Sequence, residues 1–187
     1  MGVYVSLLRG INVGGSKVIL MDDLKKVFEK LGFSKVKTLI QSGNVVFVAE
    51  KKNPSMLQEM IRDGIRNRFK FDVEVLVFSL DEFEKIVEKN PFDERKLKSS
   101  GRIHLTMLFE KPHKERVAAF YEAKNNVPKE SVSDDFEVIG STVYTLCRNG
   151  WAKSPFSGSV ILKFLKVDAT TRNLDTMKKL VEIGKNI

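Results

Sequence analysis

A chain of 187 residues is long enough for one large domain or two small ones with a proper core, and 42% apolar against 30% charged residues is ordinary for a globular protein. No apolar run approaches the roughly 20 residues needed to cross a bilayer, no secretory leader is read at the N-terminus, and the single cysteine, Cys147, excludes an internal disulfide and fits a reducing cytosol. The net charge of +8 is uneven: residues 1–95 carry 16 Lys and Arg against 14 Asp and Glu, residues 96–187 carry 16 against 10, so the C-terminal half is the one attractive to nucleic acid or phosphorylated ligands.

In chain order, Val3–Leu8 reads as an opening strand. Its start, Met1-Gly2-Val3-Tyr4-Val5-Ser6, fits the loose myristoylation pattern but is read as a strand that begins with Gly. Leu24, Val27, Phe28 and Leu31 recur at helical spacing, and Gly32 stops that helix. Val36–Ile40 and Val45–Val48 form a hairpin around Ser42-Gly43-Asn44. Asn53-Pro54 caps and opens a second helix that carries Leu57, Ile61, Ile65 and Phe69 inward. Val73–Phe78 closes the unit as a strand. The order strand, helix, strand, strand, helix, strand is that of the ferredoxin-like plait.

Asp81–Lys89 reads as a connecting helix stopped by Asn90-Pro91, and Asp93–Gly101, charged and Ser-rich, as a linker. The second half then repeats the order. Ile103–Phe109 is a strand, Lys111-Pro112 opens a helix, and Phe136–Ile139 and Thr142–Leu146 flank the turn Gly140-Ser141. Val160, Ile161, Phe164 and Leu165 mark another helix and Val167–Ala169 a short strand, before a last helix that buries Leu174, Met177, Leu180 and Val181. The turn falls 40 residues after the strand start in the first half (Val3 to Gly43) and 37 in the second (Ile103 to Gly140). The expected fold is α+β: two tandem ferredoxin-like (βαββαβ) plaits packed as one two-lobed body with a C-terminal helix. Its divisions are 1–80 (first plait), 81–101 (connecting helix and linker) and 102–187 (second plait with terminal helix). The strands of the first half are apolar on both faces, so something beyond their own helices must cover the second face, and the second half is the nearest candidate.

Two polar segments at strand ends are the candidates for function. Arg9-Gly10-Ile11-Asn12-Val13-Gly14-Gly15-Ser16-Lys17 follows the first strand. It is not a P-loop, because Ser precedes Lys and Val18-Ile19-Leu20-Met21 intervene before the helix. Either a backbone-amide nest for an anion, helped by Arg9 and Lys17, or a surface loop shaped by its glycines accounts for it. Gln41-Ser42-Gly43-Asn44 is a tight turn that the long Arg9–Met21 connection could fold back to meet. In the second half, Trp151 sits in a turn as a ligand stack or a plug between lobes. Thr170-Thr171-Arg172-Asn173 is read as preceding the last helix, where Arg172 has no capping duty. His104 and His113 lack any nucleophile or Cys cluster at a recognised spacing, so no metal and no cofactor are implied. Cys147 is read as a core thiol.

Together, Arg9-Gly10-Ile11-Asn12-Val13-Gly14-Gly15, Gln41-Ser42-Gly43-Asn44-Val45-Val46-Phe47 and Ala169-Thr170-Thr171-Arg172-Asn173 with Thr176 resemble the bacterial domain-of-unknown-function family DUF 1697, across essentially the whole chain. The resemblance implies the tandem plait architecture and carries over no activity. This chain departs from the family pattern twice. Arg172-Asn173-Leu174-Asp175-Thr176 stands where Arg-Asn-Trp-Asn-Thr is usual, and Ser154-Pro155 stands where a Ser-Lys pair is usual, with Lys153 as the substitute charge.

The expected function is binding of a small anionic ligand, a nucleotide or phosphorylated metabolite, in a polar cationic inter-lobe site. The ligand-binding set is Arg9, Asn12, Gly14, Gly15, Lys17, Gln41, Ser42, Asn44 and Arg172; no membrane is involved, and the protein partner is unknown. RNA or single-stranded nucleic-acid binding is an alternative that needs exposed strand aromatics, for which Tyr4 and Phe47 are the only candidates in the first sheet. An enzyme whose base is His104 or a carboxylate that the sequence does not single out is a third reading. A protein-interaction module without catalysis is the fourth, and it would show an apolar surface in place of a cationic cleft.

Overall fold

A computed structural model describes residues 1–97, 101–125, 134–148 and 150–187. The chain divides into two compact units, Met1–Glu88 with Met177–Ile187, and Lys89–Thr176. Among the described residues there are two four-stranded antiparallel sheets and six α-helices, an α+β architecture.

In the first unit, β1 (Gly2–Leu8), α1 (Met21–Lys30), β2 (Ser34–Leu39), β3 (Asn44–Ala49), α2 (Pro54–Phe69) and β4 (Val75–Ser79) follow in order. The spatial order is β2-β3-β1-β4, with Tyr4 opposite Phe47 on one side and Ser79 on the other. The predicted caps hold: the Asn53 side chain accepts from the N–H of Ser55, and Gly32 ends the first helix at φ 84°. Alternation puts Tyr4, Leu8, Val45, Phe47, Val75 and Val77 under α1 and α2, where they share a core with Leu24, Phe28, Leu57, Ile61 and Ile65. Val5, Leu7, Val46 and Leu76 point the other way and are buried too. α3 (Leu80–Glu88) lies on that side, with Phe83 packed 5.8 Å from Phe78. The last turns of α6 (Leu174–Lys185) join this unit: Gly184 sits so close to Leu80 that a Cβ would lie 2.5 Å from its Cδ1, and Lys185 pairs with Glu84.

The second unit has β5 (Arg102–Leu108), α4 (Lys114–Asn125), β6 (Asp135–Ile139), β7 (Thr142–Cys147), α5 (Gly158–Leu165) and β8 (Ala169–Asn173), in the spatial order β6-β7-β5-β8. Its core is aromatic: Phe120 stacks on Phe136 at 3.9 Å, with Phe156 edge-on to both. The helix expected at Lys111-Pro112 starts at Lys114. The last strand, expected over Val167–Ala169, runs instead over Ala169–Asn173. Its polar sequence forms a strand because β5 supplies the ladder, with Thr106 opposite Thr171 and their hydroxyls bonded at 2.8 Å. Three residues of the predicted linker, 98–100, lie outside the described residues, and a 3-10 turn occupies Glu94–Lys96. Among the described residues no helix is long and apolar enough to cross a membrane.

Candidate functional site

β1 leaves the sheet between two anchors. The N–H of Leu8 donates to Gly43 O at 2.8 Å and that of Arg9 to Glu74 O at 2.8 Å. The chain then makes a small hairpin of its own: Asn12 N–H donates to Lys17 O at 3.3 Å, Ser16 N–H to Val13 O at 3.2 Å, and Val13 and Ser16 form an isolated bridge. Its two tip residues are Gly14 and Gly15, at φ 60° and 75°. A two-residue hairpin with both central residues left-handed is the turn that needs glycine twice. Turn geometry therefore explains both glycines.

One side chain braces this hairpin. Asn12 donates through Nδ2 to Ile19 O (2.9 Å) and to Gln41 O (2.8 Å), and its Oδ1 accepts from Ile19 N–H (2.8 Å). Lys17 reaches back to Asp72 O at 2.7 Å. Ile11 and Ile19, on either side of the hairpin, are buried in the core. The facing turn is equally fixed: buried Asn44 donates to Leu39 O (3.0 Å) and to Ser42 Oγ (2.9 Å). Gly43, at φ 73°, allows a close approach that nothing larger permits, since a Cβ there would lie 2.6 Å from the Cβ of Leu8. The long connection does fold back onto the turn.

Asn12, Lys17, Gln41, Ser42 and Asn44 are thus brought together, with Arg9 at the root of the hairpin and Gly14 and Gly15 at its tip. Arg172 belongs to the second unit. It lies in β8 opposite Leu105, directly before α6 as expected, and it has local duties: Nη1 donates to Thr170 Oγ1 and to Thr171 O, both at 2.8 Å. Burial lowers its pKa to about 10. The cap of α6 is Asn173, whose Oδ1 accepts from Thr176 N–H at 2.8 Å.

Sequence reasoning missed the apolar residues around the hairpin. Val13 (65% exposed) lies on the hairpin, Val18 (61%) and Leu20 (67%) on the stretch from it to α1, and Ile40 (57%) on the turn it grips. The available signal was their position: three large apolar side chains in a connection with neither strand nor helix to bury them. Tyr4 and Phe47, by contrast, stack on each other at 5.8 Å beneath the helices, so neither offers an exposed platform for a base. Trp151 stacks on His104 within the second unit, ring centroids 4.5 Å apart, and burial with nearby Arg102 lowers the His104 pKa to about 4. Cys147 is a buried thiol, as expected.

Residues 1–144 match the model of a family described as a protein of unknown function, DUF1697. The chain belongs to that family. Among solved structures, this DUF1697 chain is similar to the conserved bacterial protein SP0830 from Streptococcus pneumoniae, at 24% identity over 98% of both chains with a TM-score of 0.69, a likeness of fold. A second, an unknown protein from Galdieria sulphuraria, aligns at 10% identity over 92% of this chain and 98% of that one with a TM-score of 0.27. No curated protein matches the chain.

Proposed function

We propose that this DUF1697 protein is an interaction module whose first unit presents a preformed apolar tip to a partner protein. The observation that carries the reading is the exposure of Val13, Val18, Leu20 and Ile40 on the connection between β1 and α1 and on the turn to which Asn12 ties it. Large apolar side chains gathered on a braced loop gain little from the fold and much from a partner. Bracing lowers the ordering cost of binding. Residues 9–20 and 33–44 carry Arg9, Lys17, Lys35 and Lys37 and no Asp or Glu. The fitting partner therefore presents an apolar segment flanked by carboxylates.

A small anionic ligand at this loop has less support, because Asn12 and Asn44 each use both amide hydrogens inside the protein. For the fold, we read each unit as a ferredoxin-like plait and the pair as a tandem duplication. The shared spatial order, β2-β3-β1-β4 and β6-β7-β5-β8, supports that reading.

The test is a photo-crosslinking amino acid placed at Val18 in the producing cell, with Met56, an exposed apolar residue on α2, as the control position. One protein captured at Val18 and not at Met56, whose purified form binds wild type at least tenfold tighter than Leu20→Asp, is the expected result. Equal capture at both positions, no capture, or a reconstituted affinity unchanged by Leu20→Asp overturns the reading.

A further inference from the structure

The two sheets have the same register, so corresponding positions can be compared. Under the helices of the first unit, Phe47, Tyr4 and Ser79 stand in a row across β3, β1 and β4. The same row in the second unit is Thr145, His104 and Asn173 across β7, β5 and β8. One step away, Val77 is replaced by Thr171, and beyond Phe47, Ala49 is replaced by Cys147. The first unit fills this end of its core mainly with apolar side chains, Ser79 and the buried Ser6 apart, and the second mainly with hydrogen-bonding ones.

Two of those polar groups are unanswered. Thr145 is fully buried and its Oγ1 has no partner, and Nδ1 of His104, directly opposite on β5, is buried without one. Such atoms cost free energy unless something completes them. The start of α5 adjoins the same cluster: a Cβ on Gly158 would lie 3.4 Å from Trp151 Cζ2 and 3.8 Å from Thr171 Oγ1, and Thr171 Oγ1 bonds Thr106 Oγ1 at 2.8 Å. Ser157, the N-cap, makes no side-chain capping bond. The amides of Gly158 and Ser159 precede the first intrahelical donor, Val160, at the positive end of the helix dipole. From Thr142 to Leu165 the sequence contains Arg148, Lys153 and Lys163 and no acidic residue.

We propose that the second unit binds a small oxyanion, carboxylate or phosphate, between the first turn of α5 and the row Thr145–His104, under the ring of Trp151. The hydroxyl of Thr145 and the imidazole N–H of His104 donate to it alongside the helix amides, and Trp151 moves off the imidazole as it enters. This site is separate from the docking tip and stands whether or not that reading holds.

Trp151 is the only tryptophan, so its fluorescence reports on the site directly. The full-length protein is titrated with inorganic phosphate and, separately, with acetate, at an ionic strength held constant with chloride. A saturable change in emission with phosphate or acetate, weakened at least tenfold in Thr145→Val and again in His104→Phe while both variants melt cooperatively, is expected. The stronger of the two ligands names the source of the oxyanion. No saturable change with either, or the same titration in both variants, overturns the proposal. If Thr145→Val does not fold, His104→Phe alone decides it.

Discussion

Asn12 Nδ2 stands 2.8 Å from the carbonyl of Gln41, 29 residues along the chain, and that bond ties the hairpin after β1 to the turn before β3. The same amide group holds both backbone groups of Ile19. Asn12 itself sits at φ 56°, where asparagine is tolerated and most side chains are strained.

Asn12→Ala removes three hydrogen bonds and places alanine in that strained conformation. A loss of about 2 kcal/mol in urea unfolding is expected, of the order found when backbone partners are orphaned. Hydrogen exchange should locate the loosening at residues 11–20 and 41–43. Unchanged exchange there would show that the hairpin does not depend on its clamp.

Gly43→Ala and Gly15→Ala separate two costs of substitution. Both glycines have positive φ, 73° and 75°, but only at Gly43 would a Cβ collide, 2.6 Å from Leu8 Cβ and 2.9 Å from Ile11 Cδ1. Gly15→Ala is expected to cost about 1 kcal/mol for the backbone alone, and Gly43→Ala about 3 kcal/mol or more because Leu8 and Ile11 must move. Equal losses in thermal unfolding would mean that the close approach contributes nothing.

His104 makes stability depend on pH in a defined direction. The unfolded chain protonates this residue near its ordinary 6.5, the folded one only near 4, because burial and the charge of Arg102 disfavour the imidazolium. Between those values the unfolded state binds more protons, so stability rises with pH across the window and is lost as pH falls through it. Above 6.5 the residue contributes no slope. Relative to His104→Asn, wild type is expected to lose about 2 kcal/mol between pH 7 and pH 4.5, read from urea midpoints of the two proteins. Parallel curves would contradict it.

Cys147 should resist thiol reagents. It is buried, bonded to the Ser154 hydroxyl, and burial pushes its pKa up to about 11. At pH 8 the native protein is expected to react with a disulfide reagent at least about 100-fold more slowly than the protein in guanidinium. A fast native reaction would place the thiol at the surface.

Much of the fold could be read because short apolar strands and glycine stops punctuate this chain. Leu24, Val27 and Phe28 mark α1 by spacing alone, and Asn53 announces α2 by its side chain. β8 was misplaced because Ala-Thr-Thr-Arg-Asn has no apolar alternation; it is a strand only because β5 lies beside it. The polar loop was visible as a place, and the bonds its side chains make inside the protein were not. An Asn or Lys in a Gly-rich segment looks like a ligand donor until the backbone carbonyls that satisfy it are located. Val18 and Leu20 look like core residues until the chain is seen to carry them outward. The His104–Thr145 pairing could not be read at all, since cross-strand register is not written in the spacing of either strand.

The first unit is not one stretch of chain. It is completed by Met177–Ile187, which brings Gly184 against Leu80 and Lys185 to Glu84. During synthesis its strands and their helices emerge first, yet the piece that seats on Leu80 leaves the ribosome only after everything from Lys89 to Thr176 has been made. The first unit must wait, open at that face, until Met177–Ile187 have been made, and a chain cut short at residue 176 never closes it.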